Sequence, residues 1–233
     1  SDPYALRRNL NGIIQIIWEN NFDLKFDKLI SKLINRCYSK FNELNLDHKK
    51  IFDDIIEFSK QRIISHLEDS SFDKEIISST CESKTIKHLN ILDIADLKNR
   101  IKTLQNFKLE NNYSNLINII SRYTKLANKG NLENNVYTCK DIINIELFEK
   151  KSETDIFKFL QLLENLVSTS GWEYRQLINL FEENVELLLE IFDNKNGVMI
   201  MTEDFNLRNN RLNLLGLVRN YSLLIADFTL LNS

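Results

Sequence analysis

Five glycines and a single proline in 233 residues leave this chain few places to turn sharply. Tight turns draw on the positive φ angles that glycine adopts freely and on the fixed φ of proline. Hairpin-rich β architectures need such turns every few residues, so their scarcity points to helices joined by few connections.

The apolar pattern agrees. Leu6, Leu10, Ile13, Ile14, Ile17 and Trp18 recur at the spacing of one helix face. Asp2-Pro3 ahead of them reads as an N-cap followed by proline at the first helical position. Further helices are predicted over 25–41, carrying Leu29, Leu33 and Phe41, and from Asp47 through Ile51, Ile55, Phe58, Ile63 and Leu67. A short one is expected over 73–79. The polar run 78–85 reads as a joint, dividing a smaller helical region, 1–90, from a larger one, 91–233.

In the second region Leu97, Ile101, Leu104 and Phe107 mark one helix, and Leu116, Ile119, Ile120, Tyr123 and Leu126 another that Gly130 stops. Residues 131–151 read as a long loop with some helix. Ser152 and Asp155 resemble a capping box opening a helix over 152–166. Gly171 precedes a helix over 172–192, residues 193–197 form the strongest turn, and a last helix is predicted over 204–231. Met199 and Met201 are expected to pack in the core. The fold class is therefore all-α, a helical bundle.

Composition excludes several functions. The formal net charge is −3 and the sequence pI about 5.7, so nucleic acid can be held only by a local basic face. Cys37, Cys81 and Cys139 are odd in number and far apart, which fits neither a disulfide framework nor a zinc site and suits a reducing cytoplasm. No apolar run approaches the roughly 20 residues of a membrane span, and no signal peptide is visible. The chain opens at Ser1-Asp2-Pro3 without an initiator methionine and reads as a segment of something longer.

Catalytic and metal-binding motifs are not found. His48, His66 and His88 have no helical partner suited to a metal, and no phosphate-binding or nucleophile-elbow segment occurs. The adjacent acids Asp53-Asp54 and Glu182-Glu183 point about 100° apart on a helix and read as solvated faces. Basic positions are more informative. Arg122, Lys125 and Lys129 fall on one helix face, Lys98 and Lys102 form an i, i+4 pair, and Arg208 and Arg211 an i, i+3 pair with Arg219 beyond. Tyr113 and Tyr123 are candidates for stacking beside such a face, although Tyr123 alone reads more readily as core. Basic helix faces more often serve solubility than binding.

Two end segments are more specific. Asp2-Pro3-Tyr4-Ala5-Leu6-Arg7-Arg8, with Gly12-Ile13-Ile14 and Asn21-Phe22-Asp23-Leu24 beyond, resembles the D-P-[FY]-A-L-R-R element of the β subunit of tetrameric bacterial glycyl-tRNA synthetase. Val198-Met199-Ile200-Met201-Thr202-Glu203-Asp204, then Leu207-Arg208-Asn209-Asn210-Arg211-Leu212, is similar to the signature that closes that subunit, and Ala226-Asp227-Phe228 matches its end. Between them, residues 97–107 resemble the opening of the anticodon-binding domain, and Asn144 with Leu147 its R-V-N-x-x-L element, with Ile142-Ile143 in place of R-V. The family's K-R-V-S-N-I-L stretch stands here as Ser121-Arg122-Tyr123-Thr124-Lys125-Leu126-Ala127, retaining only the arginine.

The resemblance implies a function that the residues alone do not give. The family makes glycyl-tRNA from glycine, ATP and tRNA. Its α subunit holds the ATP- and glycine-binding site, and the two subunits form an α2β2 tetramer. Its β subunit grips tRNA-Gly through a C-terminal, all-helical domain of the DALR type that reads the anticodon, which assigns 91–233 to that domain. The family's HD-like domain would precede Asp2-Pro3. On this reading the fragment binds no cofactor and has no catalytic residues. Its tRNA contacts are expected at Arg122, Lys125, Lys129, Arg208, Arg211, Lys98 and Lys102. Arg7 and Arg8 are expected to anchor an interdomain surface. The competing expectation is a helical scaffold that joins α and β subunits without reading tRNA.

Overall fold

The computed structural model describes residues 2–40, 47–83, 91–195 and 197–232. The expected core position Phe41, the end of the 78–85 joint, His88 and Asn196 of the 193–197 turn lie outside them. Among the described residues there is no strand, only an isolated antiparallel bridge between Lys25 and Asp93. Eleven α-helices among the described residues carry the fold: α1 (Leu6–Asn20), α2 (Phe26–Lys40), α3 (His48–Asp69), α4 (Lys74–Ile77), α5 (Ile94–Phe107), α6 (Tyr113–Ala127), α7 (Cys139–Ile142), α8 (Lys151–Ser168), α9 (Tyr174–Glu183), α10 (Val185–Glu190) and α11 (Phe205–Ser222). The chain is all-α, and none of its described helices is long and apolar enough to cross a membrane.

The helices gather into two compact units, Ser1–Glu82 with Leu89–Gln105, and Ser83–His88 with Asn106–Ser233. In the first, α1 and α2 pack on α3. Leu10, Ile14 and Ile17 of α1, Phe26, Ile30 and Ile34 of α2, and Ile63 and Leu67 of α3 are buried. Most of α5 belongs here too, burying Ile94, Leu97, Ile101 and Leu104. Asp2 caps the start of α1, but across a kink. Its Oδ1 accepts from the Arg7 backbone N–H at 2.9 Å, and Tyr4 and Ala5 between them adopt positive φ. Helix α3 starts next to Asp47, about where it is expected, and Asp47 caps it, accepting from the Lys50 N–H. Residues 78–82 of the expected joint instead continue α4 as a π-helical turn. The hydroxyls of Ser79 and Thr80 donate back to the Ile76 carbonyl, so a polar run that reads as loop is absorbed into helix.

In the second unit α11 is the central element. It packs on α6, α7 and α8, while α10 packs on α6 and α8. From Asn210 to Ser222 every α11 residue except Asn213 is buried. The helix ends at Ser222, earlier than predicted, and a 3-10 turn, Phe228–Leu230, follows. The predicted helix over 172–192 breaks at Asn184 into α9 and α10. Helix α8 is opened by Glu153 rather than Asp155. Its Oε2 accepts the Glu149 and Lys150 N–H groups, whereas Asp155 pairs with Lys151 and Lys158. Gly171 holds φ +78°, a conformation that side chains disfavour.

Candidate nucleic-acid interface

The cations expected to act together meet very different fates. Helix α6 is apolar on one side, where Leu116, Ile119, Ile120, Tyr123 and Ala127 are buried. Its opposite stripe carries Asn115, Asn118, Arg122 and Lys125, all exposed, and the exposed Lys129 follows in the turn just past its end. Amphipathic periodicity thus sets Arg122 and Lys125 on one solvent-facing line, and the turn adds a third cation close by.

Tyr123 and Tyr113 do not supply the aromatic surface beside this line. Both are buried. The Tyr123 hydroxyl donates to the Leu188 carbonyl at 2.8 Å, and burial pushes its pKa well above the ordinary phenol value. The ring comes instead from Phe192, just after α10. Its edge meets Tyr123, with centroids 5.2 Å apart, and the Arg122 guanidinium lies over it, 3.9 Å from its centroid. Nothing in the local sequence of α6 announces this ring, since it arrives from a residue seventy positions later through the packing of α10 on α6.

The α11 arginines are directed inward. Arg211 is 2% exposed. Its Nε donates to Glu153 at 2.9 Å, one terminal nitrogen to Glu149 at 2.7 Å, and the other to the Met199 carbonyl at 3.1 Å. Burial works against its charge, but the bonds to Glu153 and Glu149 outweigh it and the pKa stands above the ordinary guanidinium value. Expected as an RNA contact, Arg211 is instead consumed by internal partners. Arg219 is likewise buried, bonding Asn128 Oδ1, the Leu132 carbonyl and Asn220 Oδ1. Arg208 is half-buried, donating to the Thr202 carbonyl at 2.9 Å, with its guanidinium 5.6 Å from the exposed Phe205 ring. Met199 and Met201, expected in the core, are 74% and 47% exposed, while Ile200 between them is buried.

Lys98 and Lys102 belong to the first unit and part ways. Lys98 is buried, its Nζ donating to the Trp18 carbonyl and, at 2.8 Å, to Asn21 Oδ1 beyond the end of α1. A cation satisfying the carbonyl end of a helix is a structural cap. Lys102 remains exposed.

Burial pushes the thiols of Cys81 and Cys139 up to about 11 and about 12, far from the thiolate range of a nucleophile. Among the described residues no group of three or more His, Cys, Asp and Glu is placed to hold a metal. Glu182 is not a solvated acid: its pKa is raised, chiefly by burial and by Glu110, and it pairs with Arg175 at 3.3 Å. What the second unit does offer is a preorganised line of cations with one aromatic ring.

The chain's relatives bear on what this line meets. Residues 1–82 match the family described as glycyl-tRNA synthetase beta subunit. Over 98% of its length the chain is 30% identical to a glycine–tRNA ligase beta subunit of Acaryochloris marina, covering 32% of that protein. It is 28% identical to the one from Trichodesmium erythraeum, over 98% of this chain and 32% of the relative. For Buchnera aphidicola the identity is 29%, over 99% of this chain and 31% of the relative. The chain thus spans about a third of the length of the curated relatives it matches. Together the family match and these relatives support its assignment as a region of a glycyl-tRNA synthetase beta subunit.

Proposed function

We propose that this chain is the tRNA-gripping part of a glycyl-tRNA ligase β subunit, and that its second unit engages the anticodon arm of tRNA-Gly in the manner of a DALR-type domain. The whole enzyme would attach glycine to tRNA-Gly at the expense of ATP in the cytoplasm. The ATP and glycine sites would lie on the α subunit, the partner in an α2β2 assembly. The observation that carries the reading is the exposed α6 line Arg122, Lys125 and Lys129 on a chain whose net charge is −3. A basic line on an acidic chain suits local attraction of a phosphate backbone. Arg208 and Lys102, both accessible in part or whole, are further candidates.

The test is binding of a tRNA-Gly transcript at several salt concentrations. Reversing both Arg122→Glu and Lys125→Glu is expected to weaken binding at least ~10-fold and to flatten the dependence on salt. Unchanged affinity after both reversals removes this face from the assignment. Protection of the anticodon arm in a footprint supports the finer reading, and protection confined to the acceptor arm rejects it.

A scaffold role has its own support in the first unit. Tyr4, Leu6, Ile13, Ile16 and Phe22 are large, apolar and exposed in and around α1. Large apolar side chains left in solvent on one element suit a protein partner. Co-purification with the α subunit but no tRNA binding at low salt would favour that reading.

A further inference from the structure

We propose that Arg122 and Phe192 form a seat for one unpaired nucleobase, which stacks on the outer face of the Arg122 guanidinium to make a three-layer stack of ring, guanidinium and base. The proposal rests on the RNA-binding reading of the α6 line and adds to it a specific ligand group and a specific contact.

The seat is assembled from below. The Tyr123 hydroxyl is tied to the Leu188 carbonyl in α10, so the buried phenol has a fixed position. Phe192 sets its ring edge-on against that phenol, and its backbone N–H donates to the Leu189 carbonyl at 3.0 Å. The ring is half-buried and held on a turn that closes through the Val198 N–H to the Ile191 carbonyl. Arg122 then places its guanidinium 3.9 Å from the ring centroid while remaining an exposed residue.

A cation without direction would need none of this. The guanidinium is planar, weakly hydrated and stacks on π faces, and holding one face on Phe192 limits the orientations of the other. Unpaired bases in RNA loops stack on arginine planes and aromatic rings, whatever their sequence, because each presents a π face. Lys125 lies about one helical turn along α6 and Lys129 follows just past its end, where they can meet the phosphates flanking the seated base. An acidic protein segment would also be attracted to these charges, but it would pair with the N–H edge of the guanidinium and leave its outer face unused, and it would not respond to an abasic position.

That difference sets the experiment. The full chain is titrated with a tRNA-Gly transcript and with versions carrying one abasic position at a time in the anticodon loop. Arg122→Lys keeps the charge and removes the plane. It is expected to weaken binding roughly 5- to 150-fold, the range for one stacked base, while leaving the salt dependence unchanged. Phe192→Leu, which keeps an apolar side chain under Arg122, is expected to weaken binding in the same direction. One abasic position should cost as much as Arg122→Lys, and on that transcript the substitution should cost nothing more. Full affinity of Arg122→Lys, or an equal loss on every abasic transcript, overturns the seat while leaving the cationic line standing. Failure of the unmodified chain to bind tRNA at low salt overturns both.

Discussion

Helices α6 and α11 both carry cations at i, i+3 spacing and use them in opposite ways. Arg122 and Lys125 of α6 face solvent, whereas Arg211 and Arg219 of α11 lie inside the unit. The difference follows from how many sides of each helix are covered. One face of α6 meets α10 and α11, so its polar stripe is left outward. Helix α11 is covered almost all round, so any cation on it must find buried partners or not be tolerated there. Arg211 finds Glu149, Glu153 and the Met199 carbonyl, and Arg219 finds carbonyl and amide oxygens of Asn128, Leu132 and Asn220. The inward arginines also serve the outward ones. Arg219 fixes Asn128 and Leu132, on either side of Lys129, and Gly216 leaves room for Leu132, whose Cδ2 would stand 2.9 Å from a Cβ there.

The sharpest break in the comparison is Arg211→Ala. It leaves Glu153 fully buried without its cation, a change expected to cost about 3–5 kcal/mol of stability. Urea denaturation measures it. A midpoint close to that of the unmodified chain would mean that Arg211 is not committed to its acids and would return it to the set of possible RNA contacts.

Arg219→Ala is expected to cost less, about 1–3 kcal/mol, because it strands the Leu132 carbonyl and the buried Asn220 amide oxygen rather than an acid. The same substitution should loosen residues 128–132, seen as faster amide exchange there. A loss as large as that of Arg211→Ala would show that the carbonyl partners matter as much as the carboxylates.

Much of this was legible in the sequence, and the part that was not has a common cause. The all-α class followed from turn scarcity, and the α6 line from periodicity, because both are local properties. The start of α3 near Asp47 was legible for the same reason. The inward turn of Arg211 was not, since Glu149 and Glu153 lie about sixty positions away and the i, i+3 spacing of Arg208 and Arg211 looks like any basic face. Lys98 misled similarly: its partners are the Trp18 carbonyl and Asn21. Phe192 was not legible as the stacking ring because it lies seventy positions from Arg122, while the rings on α6 itself, Tyr113 and Tyr123, are buried. One signal was available. A helix as rich in Leu, Val and Gly as 212–218, with charged residues at either end of that run, has no free face for its arginines.

Arg208 lies between the two behaviours and tests where one becomes the other. It is half-buried and donates to the Thr202 carbonyl. Arg208→Ala is expected to cost about 0.5–1.5 kcal/mol, the range for one hydrogen bond. If tRNA binding weakens as well, the cationic surface extends beyond α6; if only stability changes, Arg208 sides with Arg211.

Lys129→Ala is the smallest change and isolates the outward behaviour. Lys129 is exposed, and its backbone N–H still bonds to the Leu126 carbonyl after the substitution. The urea midpoint should therefore stay where it is. In tRNA binding, each phosphate contact contributes close to one unit to the slope of log affinity against log salt, so the slope should fall by roughly one. A slope that does not move would shorten the line to Arg122 and Lys125. A midpoint that falls would mean that Lys129 contributes to the fold, and the contrast between α6 and α11 would then be one of degree, set by how far each cation sits from the end of its helix.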